Sequence, residues 1–182
     1  VPEDYWKADT PVFEEIAKTI STMAETDNMK IGVDGCGVPV FSVGIKNIAI
    51  SYKNLACPDK IHDDTLQAAA ADNVSRIMKH PEMIRGTGFM CSIMNEDSNI
   101  IAKGGANGVY GFGLKKQRLG VSFKLVDGTE DAWPFLAKNI LKALGALTPE
   151  HEKRLDALHP TYFVNDNDRI VGERRSEISI SI

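Results

Sequence analysis

IIAKGGANGVYGFGL at 100–114 and QRLGVSFKLVDG at 117–128 decide how this chain folds. Both stretches are rich in β-branched and aromatic residues, and glycines and turn-formers punctuate them, so they predict sequential strands. Upstream, TPVFEEIAKTISTMAE at 10–25 opens on a capping residue and a proline, then spaces Val12, Phe13, Ile16, Ile20 and Met23 along one face, which predicts an amphipathic helix. Met29–Val33 is a short apolar run leading into DGCGVPVF at 34–41, where glycines and a proline force a tight turn. The run Val40–Leu55 is predicted as a helix ending before Cys57-Pro58. Asp63–Lys79, with four alanines in succession, is a third helix, and it ends near His80-Pro81. MIRGTGFMCSIM at 83–94 reads as a glycine-containing turn followed by a short helix or half-buried segment.

Downstream of the strands, Asp131–Leu144 returns to helical spacing through Trp133, Leu136, Ile140 and Leu144. TPEHEKRLDAL at 148–158 starts a further helix with Thr148 as cap and Pro149 at its first position. The tail RIVGERRSEISISI at 169–182 alternates as a final strand would, with an exposed tail as the other reading. Helices on both sides of a run of strands predict an α+β fold, an antiparallel sheet flanked by helices.

Length and composition bound the rest. A chain of 182 residues with 43% apolar content can bury one sizeable core, so residues 1–182 are expected to form a single domain. The net charge of −4 is small and its signs are interspersed, which argues against nucleic acid or an anionic membrane as partner. No run approaches the roughly 18 to 20 apolar residues that span a bilayer, and VPEDYWKADT lacks the basic-then-apolar order of a signal peptide. Three cysteines at wide spacing, Cys36, Cys57 and Cys91, argue against a disulfide framework and for a reducing, cytoplasmic location. Valine at position 1 is compatible with a fragment, a processed product or a trimmed chain.

Three knots of residues can carry chemistry. Asp34-Gly35-Cys36-Gly37 sets a carboxylate and a thiol side by side in a turn that a ligand can approach closely; the structural alternative is a strand-to-helix turn with Asp34 as cap and Cys36 buried. His80-Pro81-Glu82-Met83, Arg85-Gly86-Thr87-Gly88 and Cys91 form the second, in which His80 alone reads first as a helix C-cap. Two cysteines without a histidine at ligand spacing make only a weak zinc pattern, although Cys36 and Cys91 could meet in space. The third is Lys103-Gly104-Gly105-Ala106 at a strand junction. A lysine followed by small residues on a strand edge is what serine β-lactamase-like enzymes use to line a pocket, its ammonium facing a carboxylate or a developing oxyanion. Its plain alternative is a solvated lysine before a turn. No serine has a lysine three positions on, and H-E-x-x-H, G-x-S-x-G and the phosphate-loop pattern are absent.

In this order and at these intervals, DGCGVPVFSVGI at 34–45, HPEMIRGTGFMCSIM at 80–94, KGGANGVYGFGL at 103–114 and LGVSFKLVDG at 119–128 resemble the C-terminal half of the bacterial L-asparaginase II-like family, with VGE at 171–173 fitting its closing strand. The resemblance implies a partial domain of a serine β-lactamase/glutaminase-like fold and hydrolysis of L-asparagine to L-aspartate and ammonia by a serine with lysine assistance. It implies that Lys103 and Asp34 are catalytic, that Asp34, Cys91, Lys103 and Gly104 border the substrate, and that Cys36 is either a ligand of a metal, zinc, or a substrate-pocket residue beside the centre. It also implies that the serine comes from an N-terminal half or a second chain, and that the assembly is a homo-oligomer. Met90 and Asn107 depart from the family's pattern, where an arginine and a glutamate are expected. Two other functions fit the same residues: a non-catalytic domain binding a small amino acid or amide, and an interaction protein whose glycine knots are only turns.

Overall fold

The computed structural model describes residues 3, 4 and 6–181. In chain order the elements are α1 (Pro11–Ala24), β1 (Lys30–Val33), β2 (Pro39–Ser42), α2 (Ile45–Ala56), a 3₁₀ turn (Pro58–Lys60), α3 (Asp64–Lys79), α4 (Glu82–Arg85), α5 (Met90–Asn95), β3 (Ile100–Gly104), β4 (Val109–Leu114), β5 (Leu119–Lys124), α6 (Trp133–Ala143), α7 (Pro149–Leu158), β6 (Tyr162–Val164) and β7 (Ile170–Glu173). The fold is α+β as the sequence predicts. Among the described residues there are three antiparallel sheets, β1-β2, β3-β4-β5 and β6-β7, and the middle one organises the core.

The register of that sheet, Lys103 opposite Gly111, Ile101 opposite Gly113 and Gly113 opposite Gly120, puts the glycines of β4 and β5 on one face, beside Ile101 and Lys103, and Tyr110, Phe112 and Leu114 on the other. Onto the glycine face lies α2, closer than a layer of side chains would permit. A Cβ on Gly120 would stand 1.8 Å from the Ala49 carbonyl oxygen, one on Gly113 2.2 Å from that of Tyr52, and one on Gly111 2.2 Å from the Tyr52 ring. The opposite face carries Ile100, Ala102, Tyr110, Phe112 and Leu114, which pack with Cys91 and Met94 of α5, Trp133, Ala137 and Leu141 of α6 and Leu155 of α7 as one buried cluster. Tyr110 and Trp133 meet at its centre, ring centroids 5.0 Å apart.

The two ends of α1 differ. At the start, Thr10 makes no side-chain cap and instead donates to the Lys7 carbonyl, 3.0 Å. At the finish the orphan carbonyls are met by α2: Asn54 Nδ2 donates to Met23 O and Asn47 Nδ2 to Ala24 O, both at 2.9 Å. The face expected to be buried is only partly so, since Phe13 is buried whereas Val12 and Ile16 are exposed.

The prediction of one helix over Val40–Leu55 is corrected. Its first residues are β2, paired with β1, and the helix begins only at Ile45 after Gly44. Val40 and Phe41 are good strand formers, and extended backbone at Gly44 separates the strand from the helix. Helices α3, α5, α6 and α7 fall where expected, whereas α4 occupies residues read as the start of a turn; Asp63 caps α3 by accepting from Leu66 N, 2.9 Å, His80 is its C-cap, and Thr148 caps α7 by accepting from His151 N, 3.2 Å. In the tail, β7 pairs with β6, a strand the sequence reading did not anticipate. Lys138 on α6, joined to Asp156 of α7 and Thr161, ties this hairpin's base to the helices.

Candidate active site at the edge of β3

The free edge of β3 is where Lys103, Gly104 and Cys91 come together. Because Gly105 N donates to Val109 O, alternation along β3 turns the amides of Ala102 and Gly104 away from β4. α5 meets both. Asn95 bonds Ala102 through N–H and C=O, and the Cys91 thiol accepts from Gly104 N at 3.2 Å. Lys103 faces the other way, on the side of α2. Its Nζ donates to its neighbour Gly104 O, 2.6 Å, and its own carbonyl accepts from the Tyr52 hydroxyl, 3.1 Å.

An open cavity of about 340 Å³ adjoins this edge, bounded by Met23, Ser51, Tyr52, Ile77, Ile84 and Lys103. Its walls are largely apolar, with the ammonium of Lys103 as the charged group and the hydroxyls of Ser51 and Tyr52 as the neutral polar ones. Ser51 Oγ donates to Asn47 O within α2, 3.0 Å. Burial holds the Tyr52 phenol far above its usual range, so at neutral pH it is a donor and not an anion.

Behind the edge, Arg85 and Tyr110 stand beside Cys91. Arg85, on the single turn of α4, pairs with Glu130 at 2.5 Å, and that carboxylate is the main cause of its raised pKa. The guanidinium lies 5.6 Å from the Phe89 ring centre and 5.8 Å from that of Trp133. Tyr110 is fully buried; burial first, then the neighbouring Cys91, pushes its phenol well above the ordinary value. The hydroxyl of Tyr110 and the indole nitrogen of Trp133 have no hydrogen-bond partner among the described residues. Gly104 is required for this packing, because a Cβ there would lie 2.5 Å from Trp133 Cζ3.

Asp34 and Cys36 sit elsewhere, in the exposed loop of the β1–β2 hairpin. Asp34 N donates to Val38 O, Gly37 N to Asp34 O, and the Asp34 carboxylate accepts from Gly35 N at 2.8 Å. The structural alternative for this knot therefore fails on both counts: Asp34 caps a hairpin turn and no helix, and Cys36 is exposed. No hydrogen bond or ion pair among the described residues joins either side chain to Lys103, Gly104 or Cys91. Nor does any group of three or more His, Cys, Asp or Glu among them form a metal-binding cluster, so Cys36 would need ligands from beyond them to hold zinc. Tyr52, Tyr110 and Ser51 escaped the sequence reading. The one signal for Tyr52 was Gly111, Gly113 and Gly120 at alternate positions, which announces a close-packed neighbour on that face without saying which residue it is.

No helix among the described residues is long and apolar enough to cross a membrane. No curated protein matches the chain. Residues 1–176 match the family model of L-asparaginase II, and the protein belongs to that family.

Proposed function

We propose that this chain supplies the substrate pocket of an amidohydrolase that converts L-asparagine to L-aspartate and ammonia. The observation that carries the reading is the Lys103–Gly104 corner of β3, an ammonium at a strand edge opening on a cavity, in a member of an asparaginase family. A serine hydroxyl supplied by polypeptide outside residues 1–182 attacks the side-chain amide carbon. The hydroxyl proton leaves with the amide nitrogen as ammonia, and water then cleaves the seryl ester to release aspartate. Lys103, whose Nζ now rests on Gly104 O, turns to the substrate carboxylate or to the oxyanion, where a preformed positive charge lowers the barrier. Cys91 and Gly104 do not line that cavity; they act on it from behind, the thiol holding the Gly104 amide and so fixing the strand that carries Lys103. Asp34 has one carboxylate oxygen engaged in its own turn, which leaves the other for the substrate α-ammonium once the hairpin loop is brought to the site.

Cys36 belongs to the same loop and would give one thiolate to a zinc ion completed by outside ligands. No step above depends on that ion.

Ammonia release from L-asparagine tests the proposal, measured on the chain alone and on the chain mixed with the upstream polypeptide of the same protein. Silence alone and activity on mixing are expected, with Lys103→Met lowering kcat about a hundredfold or more. Activity of the chain alone would overturn the external serine and direct attention to Ser51. Unchanged activity in Lys103→Met would remove the lysine from the mechanism.

A further inference from the structure

Two donors rest on consecutive carbonyls of β3. The Tyr52 hydroxyl donates to Lys103 O at 3.1 Å, and the Lys103 ammonium donates to Gly104 O at 2.6 Å. Both side chains line the same cavity of about 340 Å³. The bond from Tyr52 is one that the strand can spare. Gly105 N donates to Val109 O, so alternation makes Lys103 and Gly111 the next hydrogen-bonded pair, and the Gly111 amide already serves Lys103 O. When the hydroxyl turns away, that carbonyl keeps a donor, and the cost of an orphaned acceptor does not arise.

The ring that carries this hydroxyl is held in place. Gly111 lies directly opposite Lys103, and a Cβ on it would stand 2.2 Å from Tyr52 Cε2 and 3.0 Å from Cζ. The phenol therefore lies on bare backbone beside the lysine, in a slot that any larger residue at 111 would close. Burial first, and the Cys91 sulfur second, raise its pKa, so at neutral pH it remains an uncharged donor. Ser51, the other hydroxyl at the cavity, stays on its own helix and donates to Asn47 O.

A cation beside a neutral donor suits a ligand in which two oxygens share one negative charge. Met23, Ile77 and Ile84 make the surrounding wall apolar, and a carboxylate leaving water for such a wall needs a partner on each oxygen. An oxyanion, with its charge on a single oxygen, would need only one of the two donors. We propose, on the reading of the β3 corner as an amidohydrolase pocket, that Tyr52 is a substrate-binding residue and that with Lys103 it brackets the α-carboxylate of L-asparagine. The hydroxyl turns from Lys103 O to one carboxylate oxygen, and the ammonium turns from Gly104 O to the other. The pair thereby selects amides that bear a free carboxylate over those in which it is blocked.

The enzyme assembled from this chain and its upstream polypeptide tests this by two measurements, hydrolysis of L-asparagine or its α-methyl ester and calorimetric binding of L-aspartate, which needs no chemistry. Tyr52→Phe keeps the ring and removes only the hydroxyl. It is expected to raise KM for L-asparagine and Kd for L-aspartate about tenfold, to change kcat less than about threefold, and to leave KM for the methyl ester unchanged. Gly111→Ala, which keeps the hydroxyl and displaces the ring, is expected to weaken L-aspartate binding likewise, and to weaken it no further in the Tyr52→Phe background. Unchanged KM and Kd in Tyr52→Phe would overturn the assignment. So would a loss confined to kcat, because the hydroxyl would then serve the oxyanion, or an equal loss with the methyl ester, because its role would then be structural. Tyrosine-dependent binding of L-aspartate by an assembly that releases no ammonia from L-asparagine would sink the amidohydrolase reading and leave Tyr52 as a carboxylate ligand.

Discussion

Asn95 holds Ala102 through both of the hydrogen bonds that a neighbouring strand would make: its Nδ2 donates to the Ala102 carbonyl at 2.7 Å, and its Oδ1 accepts from the Ala102 amide at 2.9 Å. The same Nδ2 donates to Cys91 O at 2.7 Å, so one side chain ties α5 to the strand that carries Lys103. Asn95→Ala would leave the buried amide and carbonyl of Ala102 without partners, and a loss of about 2 kcal/mol or more in urea unfolding is expected. Asn95→Asp is expected to cost at least as much, because a carboxylate keeps the Ala102 amide but faces two carbonyl oxygens with nothing to donate. Wild-type stability in either variant would show that the edge is held by something else.

The glycine face makes a second, steeper prediction. Gly120→Ala would place a Cβ 1.8 Å from the Ala49 carbonyl oxygen, a backbone atom that moves only if α2 moves. Overpacking of this kind costs about 3 kcal/mol or more, and the thermal midpoint should fall accordingly. Gly35→Ala is the control: nothing lies within 4 Å of its Cβ, so its melt should overlay that of the wild type within error.

These examples show which parts of the chain were legible beforehand. The meander β3-β4-β5 could be read because its strands are neighbours in sequence and differ in texture from the helices around them. The corner formed by Lys103, Gly104 and Cys91 was half legible. The residue types were evident, but Cys91 reaches Gly104 only because α5 folds back on the edge of β3, a contact across 13 positions. The β1–β2 hairpin was missed because Pro39–Ser42 runs almost directly into a helix, and apolar periodicity alone does not separate a short strand from the first turn of the helix after it. Asn107, where the family pattern leads one to expect glutamate, occupies a left-handed position at φ +56°, which asparagine adopts more readily than glutamate.

His159 supplies the pH prediction. Burial first, and then the positive charge of Arg174, lower its pKa below the ordinary 6.5. The folded state thus binds fewer protons than the unfolded one just below pH 6.5, and stability rises with pH through that window. Stability is therefore complete above pH 6.5 and declines as the pH falls toward and through the folded-state pKa. In His159→Gln this contribution to the slope should vanish, so plots of urea midpoint against pH for variant and wild type should diverge below pH 6.5. Parallel plots would mean that His159 titrates alike in both states.

Thiol reactivity separates the three cysteines and bears on the site at the same time. Cys36 is exposed at a hairpin tip, whereas Cys57 and Cys91 are buried, Cys91 beneath the Gly104 amide and the Arg85–Trp133 stack. A thiol reagent in excess should therefore modify one cysteine of the native chain promptly and the other two only as fast as the fold opens, with all three reacting at once in denaturant. Prompt modification of Cys91 would show that the β3 edge opens in solution and that Lys103 works from a more mobile strand than the structure describes. If zinc added to the assembled enzyme slows the reaction of Cys36 alone, the loop holding Asp34 and Cys36 has been carried to the metal. If zinc leaves Cys36 untouched there, the assignment of Cys36 as a ligand fails while the role of Lys103 stands.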